Sequence, residues 1–417
     1  LETAKILSNP NTIGEAFIDD FEGSKSTDPI SITRTMWTPA SAPPGFEDQP
    51  RAKVIWYNPY KKVPVADIWP YREVRSEESS TDVLTIEYFD TTTSEGDSLP
   101  WAGIMQYINP AYQDQQNAQF FEIWVQGDEG ILSIDIGRIN EDANGNEQLD
   151  TEDKLVGSMY DNILNQDEDT GIDGMFDDEE LDYYLQLAGV DITGLSTDEK
   201  RSLFSEYYPG RDPYDPSGDN WSWDCDEDGN CDYSHINGTE GNRNDPAGIK
   251  KPDTEDLNRN GVIDMFDDYF EFKIDLSSDA FEVPNTRSPS GWRLYRIPIA
   301  DSTFTAVEDG RVWHRIEEGD PDFTAIKYIR LWLTGIEDDH AKVQIAEMGF
   351  VHNQWEEDFE KFEVAVKNSQ EDQDYVPPPD AAIEKDPTTG ITLAEQSLVL
   401  KYKYLPPLDT VYATKIF

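Results

Sequence analysis

Between residues 141 and 180 the chain carries 15 acidic residues and a single basic one, Lys154. A stretch of that kind cannot build an apolar core of its own. It folds only if flanking structure fixes its ends and something offsets its charge. The acidic character runs on to about Asp267, and 209–250 adds few apolar residues beyond Trp221 and Trp223.

The flanks have a different character. On the N-terminal side, "VLTIEYF" (83–89), "QFFEIWVQG" (119–127) and "ILSIDIGRI" (131–139) are short runs rich in β-branched and aromatic residues, bounded by Gly, Asp and Asn. In the last, Leu132 breaks a simple alternation, while Ile134 and Ile136 share a face opposite Ser133 and Asp135. "WTPASAPPGFEDQP" (37–50) is proline-rich and reads as loop. Strand character resumes at "YFEFKIDL" (269–276), "GWRLYRIPI" (291–299), "AIKYIRLWLTG" (325–335) and "AKVQIAEMGFV" (341–351). The expected fold is therefore mainly β: a jelly-roll-like β-sandwich of galactose-binding type, formed by 13–140 together with 268–356. It is interrupted by a long, acidic, partly helical, calcium-binding insertion at 141–267. Residues 357–417, with the polyproline-like "DYVPPP", read as a linker and the start of a following β unit. Within the insertion, "DDEELDYYLQLAG" and "STDEKRSLFSEYYPG" predict a helical hairpin. Leu181, Tyr184, Leu185 and Ala188 fall at helical spacing, and Ser196 with Glu199 forms a capping box.

Bulk charge narrows the partners. Lys and Arg number 33 against 86 Asp and Glu, a net charge of −53. Such a field repels nucleic acid and anionic membrane surfaces. With 11 Trp, 20 Tyr and 18 Phe the chain has the apolar payload that disordered acidic segments lack. A folded protein with this surface calls for counterions, and divalent cations are the economical choice. No apolar run is long enough for a membrane-spanning helix. The opening "LETAKILSNP" reads as the start of a piece of a longer chain.

The acidic block contains loops suited to calcium, which takes six to eight hard oxygen ligands. In "DLNRNGVIDMFD" (256–267) the ligands are Asp256, Asn258, Asn260, the Val262 carbonyl, Asp264 and Asp267, with Gly261 at the sharp turn and Ile263 as the apolar anchor. Asp stands where an EF-hand closes with Glu. "DANGNEQLDTED" (142–153) repeats the frame with Asp142, Asn144, Asn146, Asp150 and Asp153, anchored by Leu149, but Glu147 takes the place of the turn glycine. "DCDEDGNCD" (224–232) offers Asp224, Asp226, Asp228 and Asp232 without an acid at the twelfth position, so a metal site and a solvated loop both fit it. "DEDTGIDGMFDDEE" (167–180), with Asp167, Asp169, Asp173 and Asp177, reads better as a solvated acidic loop. Two or more structural calcium ions follow, stiffening an insertion that lacks a core. No paired flanking helices are present, so a sensor that opens a groove is not expected.

Cys225 and Cys231 bracket the third loop and suit a disulfide in an oxidising compartment better than a zinc site, since only His235 joins them as a soft ligand. Catalysis has no constellation to rest on. The four histidines (235, 314, 340, 352) are scattered, carboxylate pairs among 86 acids carry no information, and there is no phosphate loop or nucleophile elbow. Trp124 and Trp332 read as core rather than sugar platform. The expectation is a non-enzymatic protein.

Three stretches, "IDDFEGSKSTDPISI" (18–32), "DLNRNGVIDMFDDYFEF" (256–272) and "IRLWLTG" with "VQIAEMGFVHNQW" (329–355), together with "DPTTGITLAEQSLVLKY" (386–402), resemble the SprA (Sov) family. Its members are gliding-motility cell-surface proteins that form the outer-membrane translocon of the Bacteroidota type 9 secretion system. The resemblance spans most of the chain. It implies a soluble, cap-like fragment on the extracellular side of a very large β-barrel, without a membrane span of its own. The implied partners are the rest of the barrel, the shuttle and plug proteins of the system, and transiting cargo. "DDFEG" (19–23) is also similar to the opening of calcium-binding, carbohydrate-binding jelly rolls, where the Asp20 and Glu22 positions sit near a structural ion. A calcium-stabilised carbohydrate-binding module of a secreted protein is the alternative.

Overall fold

The computed structural model describes residues 25–369 apart from short gaps at 73, 76–77, 91–98, 158, 247–250, 284–285, 301–304, 309–310, 354 and 358–361; outside that range it describes Tyr375 and strands at 2–7, 13–19, 396–403 and 410–415. Asp20, Glu22 and the proline run at 377–379 lie outside the described residues.

Twelve strands make two large antiparallel sheets. In chain order they are β1 Lys25–Pro29, β2 Thr38–Pro39, β3 Lys53–Tyr57, β4 Leu84–Phe89, β5 Trp101–Tyr107, β6 Phe120–Gln126, β7 Ile131–Arg138, β8 Asp268–Asp275, β9 Arg293–Ile297, β10 Ile316–Glu318, β11 Tyr328–Thr334 and β12 His340–Asn353. The first sheet has the order β9-β6-β12-β4-β3, and β1 pairs with the C-terminal half of the long β12; the second has the order β10-β8-β7-β11-β5-β2. Near the chain ends, Glu2–Leu7 pairs with Thr410–Lys415, and Ile13–Asp19 pairs with Gln396–Lys403.

Alternation puts the two sheets face to face. Leu132, Ile134 and Ile136 of β7 meet Phe270, Phe272 and Ile274 of β8, and Leu84, Ile86, Phe121, Ile123 and Val125 close the core from the first sheet. Leu132 is thus part of the core face; Ile131 is the residue out of phase. The polar face of β7 is buried too. Asp135 lies opposite Arg330 of β11, whose Nε donates to Asp135 Oδ2 at 2.6 Å, and both are fully buried. The proline-rich loop supplies the cover: Arg330 Nη1 donates to Ser41 Oγ (3.2 Å), and Phe46 packs edge-on against Trp332 with ring centroids 4.9 Å apart. On the outer face of the first sheet, Trp69 covers Trp124. Both strand tryptophans are core residues.

The insertion is a hairpin loop grown large. Arg138 and Asp268 are register partners at the end of the β7–β8 ladder, and Arg138 Nη2 donates to Asp268 Oδ2 at 2.5 Å. Among the described residues between 139 and 267, no strand joins either large sheet. Two helices form there, α1 Asp177–Leu187 and α2 Thr197–Tyr207. The expected capping box opens α2, where Glu199 N donates to Ser196 Oγ and Ser196 N to Glu199 Oε2. Leu181, Leu185 and Phe204 are the hairpin's small core. The insertion also folds back on edge strand β3. Asn237 accepts from Trp56 N (2.9 Å) and donates to Trp56 O (2.8 Å), and Tyr233 stacks on Tyr57. That side chain covers strand edge groups that would otherwise recruit another chain.

Candidate metal centre

The β7–β8 pairing brings the two stems of the insertion together, and each stem carries one of the loops that match a calcium frame. The loops are conformational copies. In 142–153 the fourth and sixth positions, Gly145 and Glu147, have φ of 77° and 60°; in 256–267 the same positions, Arg259 and Gly261, have 57° and 86°. The first residue of each frame folds its carboxylate under its own turn. Asp142 Oδ1 accepts from Asn146 N (3.1 Å) and Oδ2 from Glu147 N (2.8 Å), while Asp256 Oδ1 accepts from Asn260 N (2.9 Å) and Oδ2 from Gly261 N (2.6 Å). The fifth residue closes the turn in both: Asn146 Oδ1 accepts from Gln148 N and Asn260 Oδ1 from Val262 N. Glu147 adopts the left-handed backbone that the frame reserves for glycine.

Each loop is held by the glutamate that precedes the other. Glu141 is buried, and its Oε1 accepts from Leu257 N (3.0 Å) and its Oε2 from Asp264 N (2.9 Å). Glu255, also buried, accepts from Ala143 N (2.9 Å) and Asp150 N (3.2 Å). Frame positions two and nine are gripped in both cases. The backbone repeats the exchange, since Glu141 N donates to Asp264 O (2.8 Å) and Glu255 N to Asp150 O (3.0 Å). Sequence reasoning missed these glutamates, although both loops open with the pattern E-D-x-N-x-N, in "EDANGN" (141–146) and "EDLNRN" (255–260). Burial raises the carboxyl pKa of both, that of Glu255 to about 7.

Other frame residues fall in several places. Asn144 and Asn146 both donate to Asp150 Oδ2 (2.6 and 2.8 Å), so these three converge. Asn258 Nδ2 donates to Asp264 Oδ2 (2.9 Å), and Tyr328 of β11 ties the pair to Glu141 through its hydroxyl. Asp153 turns to Asn162 N through Oδ2 (2.7 Å), leaving its buried Oδ1 without a partner. Asp267 faces Arg330 and the Asn140 amide rather than its own loop. Leu257, not Ile263, packs on the sandwich, against the cluster of Tyr269, Tyr328 and Ile139. In the third loop Cys225 and Cys231 form a disulfide between register partners. Asp226 Oδ1 caps that hairpin turn at Asp228 N and Asn230 N, while Asp224 and Asp232 stand opposite each other on its strands, and all four acids are exposed.

The looser 167–180 cluster contributes to a dense carboxylate group. Carboxylate oxygens of Asp173, Glu180 and Asp219 lie within 4.8 Å of one another, as do those of Asp177, Glu180 and Asp215. These acidic groups could hold a metal ion. Burial, then repulsion from neighbouring carboxylates, pushes Glu180 and Asp219 each up to about 7 and Glu240 up to about 8. All-oxygen donor sets of this kind suit hard cations rather than zinc or copper.

Compared with known proteins, the chain matches no family model and no curated protein.

Proposed function

We propose that this chain is a non-enzymatic, calcium-stabilised β-sandwich on the extracellular side of the outer membrane, the cap-like part of a protein-secretion translocon. One observation carries the calcium reading: two loops with the same turn geometry, clasped reciprocally by Glu141 and Glu255 at the neck of the insertion. Asp142, Asn144, Asn146 and Asp150 would hold one ion. Asp256, Asn258, Asn260, Asp264 and the Val262 carbonyl would hold another. Calcium there would neutralise the neck and lock the exit and return of the insertion against each other. The unpartnered Asp153 Oδ1 is a further oxygen at the first loop.

The strand order supports the jelly-roll reading. Among the eight strands β4 to β9, β11 and β12, successive strands alternate between sheets everywhere but at β7–β8, in the way two Greek keys require, with β4-β12-β6-β9 facing β5-β11-β7-β8. Among those eight strands the insertion occupies the one connection between neighbours of the same sheet. The disulfide fits an oxidising, extracytoplasmic compartment.

The translocon role rests on the stretches quoted above that resemble the SprA (Sov) family. It assigns the chain to gating and to contacts with the barrel, shuttle, plug and cargo. The alternative, a carbohydrate-binding module, predicts glycan affinity, which the translocon reading does not.

The deciding experiment is thermal unfolding of the purified chain with calcium, with magnesium and after chelation, together with bound-metal analysis. A calcium-specific rise in Tm with about two or more ions per chain supports the reading, because a ligand bound only to the native state stabilises it by mass action. No shift and no bound metal would overturn the calcium centre. Glycan binding to a sugar array, with no capture of the barrel, would favour the alternative.

A further inference from the structure

The helical hairpin meets the rest of the insertion through carboxylates. The first turn of α1 bears Asp177, Asp178, Glu179 and Glu180, and Leu181 and Leu185 turn toward α2. Glu180 is thereby driven inward and is fully buried. Its Oε2 accepts from Ser217 N at 3.0 Å, but its buried Oε1 has no hydrogen-bond partner. Around it the 215–220 turn is folded by Asp215, whose Oδ1 accepts from Gly218 N (2.9 Å) and Asp219 N (3.0 Å). Asp219 Oδ1 and Glu240 Oε2 are also buried and without a partner.

We propose that Glu180 is the central ligand of a divalent-cation site, distinct from the paired neck loops, that pins the helical hairpin to the 215–220 turn. Glu180 belongs to both carboxylate triads, Asp173/Glu180/Asp219 and Asp177/Glu180/Asp215, so this buried side chain, with one oxygen unpartnered, sits where two sets of anions converge. The neighbouring donors reach other oxygens of the cluster: Ser217 Oγ lies 3.1 Å from Asp173 Oδ2 and Thr239 Oγ1 3.2 Å from Asp219 Oδ2. Asn220 Nδ2 serves Asp177 (2.9 Å), and the guanidinium of Arg201 lies 3.4 Å from Asp178 and stacks over Tyr214. A buried carboxylate with an oxygen left without a donor is costly, and several in one place are costlier still. A cation removes both penalties at once. The donors are all carboxylates, supplied by two segments, 173–180 and 215–219, which suits calcium's large, adaptable shell better than magnesium's octahedron. The site would also attach a hairpin whose own core consists of Leu181, Leu185 and Phe204.

This site stands or falls apart from the neck. The full chain would be loaded with calcium, stripped of free ion by gel filtration and assayed for bound metal. Melting curves would be recorded in calcium and in chelator. E180Q keeps the shape of the side chain and removes its charge; D173N/D219N tests the same site through residues nearer solvent. The calcium content of each is expected to fall by about one ion relative to wild type, with D142N/D256N losing different ions. E180Q is further expected to melt above wild type in chelator, because repulsion is relieved, and below it in calcium. Wild-type calcium content in both Glu180-site variants would overturn the proposal. So would an E180Q protein that melts above wild type in both conditions, since Glu180 would then be a buried protonated acid. If E180Q does not fold, the metal content of D173N/D219N decides. Loss of ions in D142N/D256N alone would leave the neck reading standing and remove this one.

Discussion

At the residue scale, two positions invert what their chemistry suggests. Glu147 occupies a left-handed backbone (φ 60°) at the turn where its partner loop has Gly261 (φ 86°), and it is exposed. A non-glycine residue in that region costs about 1–2 kcal/mol, part of which glycine gives back in unfolded-chain entropy. E147G is therefore expected to stabilise the protein by roughly 0.5–1 kcal/mol, and G261A to destabilise it by at least about 1 kcal/mol, in denaturant titrations. A destabilised E147G would mean that the side chain contributes more than the strain it incurs. The second position is Asp135. Burial pushes its carboxyl up and the Arg330 guanidinium pulls it back down, within a pair from which water is excluded. Removing one partner strands the other, so D135A or R330M should each cost about 3–5 kcal/mol, whereas D135L/R330M together should cost far less. Equal losses in the double and single variants would show that the ion pair itself is not the issue. Asp135 reads in the sequence as the solvent side of a half-buried strand. Alternation gives the face, but not the loop that covers it.

At the element scale, what was legible followed from local rules. The strand runs, the helical hairpin and the Ser196–Glu199 cap depend on neighbours a few residues away, and they appear where periodicity and capping place them. The loop frame was legible in the same way, down to the turn positions. Side-chain direction was not. Asp267 sits at the frame's twelfth position but answers to Arg330, on a strand far along the chain. The clasp was hidden for the same reason, because Glu141 and Glu255 become neighbours only through the β7–β8 ladder. A displaced effect follows: E255A should loosen the 142–153 loop, more than a hundred residues away in sequence. Hydrogen exchange should accelerate at the Ala143 and Asp150 amides, whose bonds to a charged acceptor are worth about 1.5–3 kcal/mol each. Acceleration confined to 256–267 would contradict the reciprocal arrangement.

At the scale of the whole molecule, the insertion has carboxylates where other folds keep apolar side chains. Glu141, Glu152, Glu168, Glu180, Glu240 and Glu255 are all buried. Burial, with repulsion among neighbours, pushes Asp253 up to about 6, Glu180, Asp219 and Glu255 to about 7, Glu240 to about 8 and Glu152 to about 9. In the unfolded chain such groups titrate near about 4. Between those limits the native state binds more protons than the unfolded state, so the metal-free protein holds this stability in full below about pH 4. It loses it as the pH rises through the range of the folded values. A divalent cation does the reverse, because it binds the deprotonated carboxylates. The chelated protein should therefore melt progressively lower from pH 5 to pH 8, while the upward shift given by calcium should grow over the same range. The net charge of −53 pushes in the same direction through long-range repulsion, and salt separates the two causes. Exposed charges are screened at about 0.5 M salt, whereas contributions from buried groups persist. A pH dependence that vanishes in high salt would assign the effect to the surface. One that survives, together with a calcium shift that widens with pH, would assign it to the carboxylates inside the insertion, which makes cation loading a condition for the insertion to hold its shape above neutral pH.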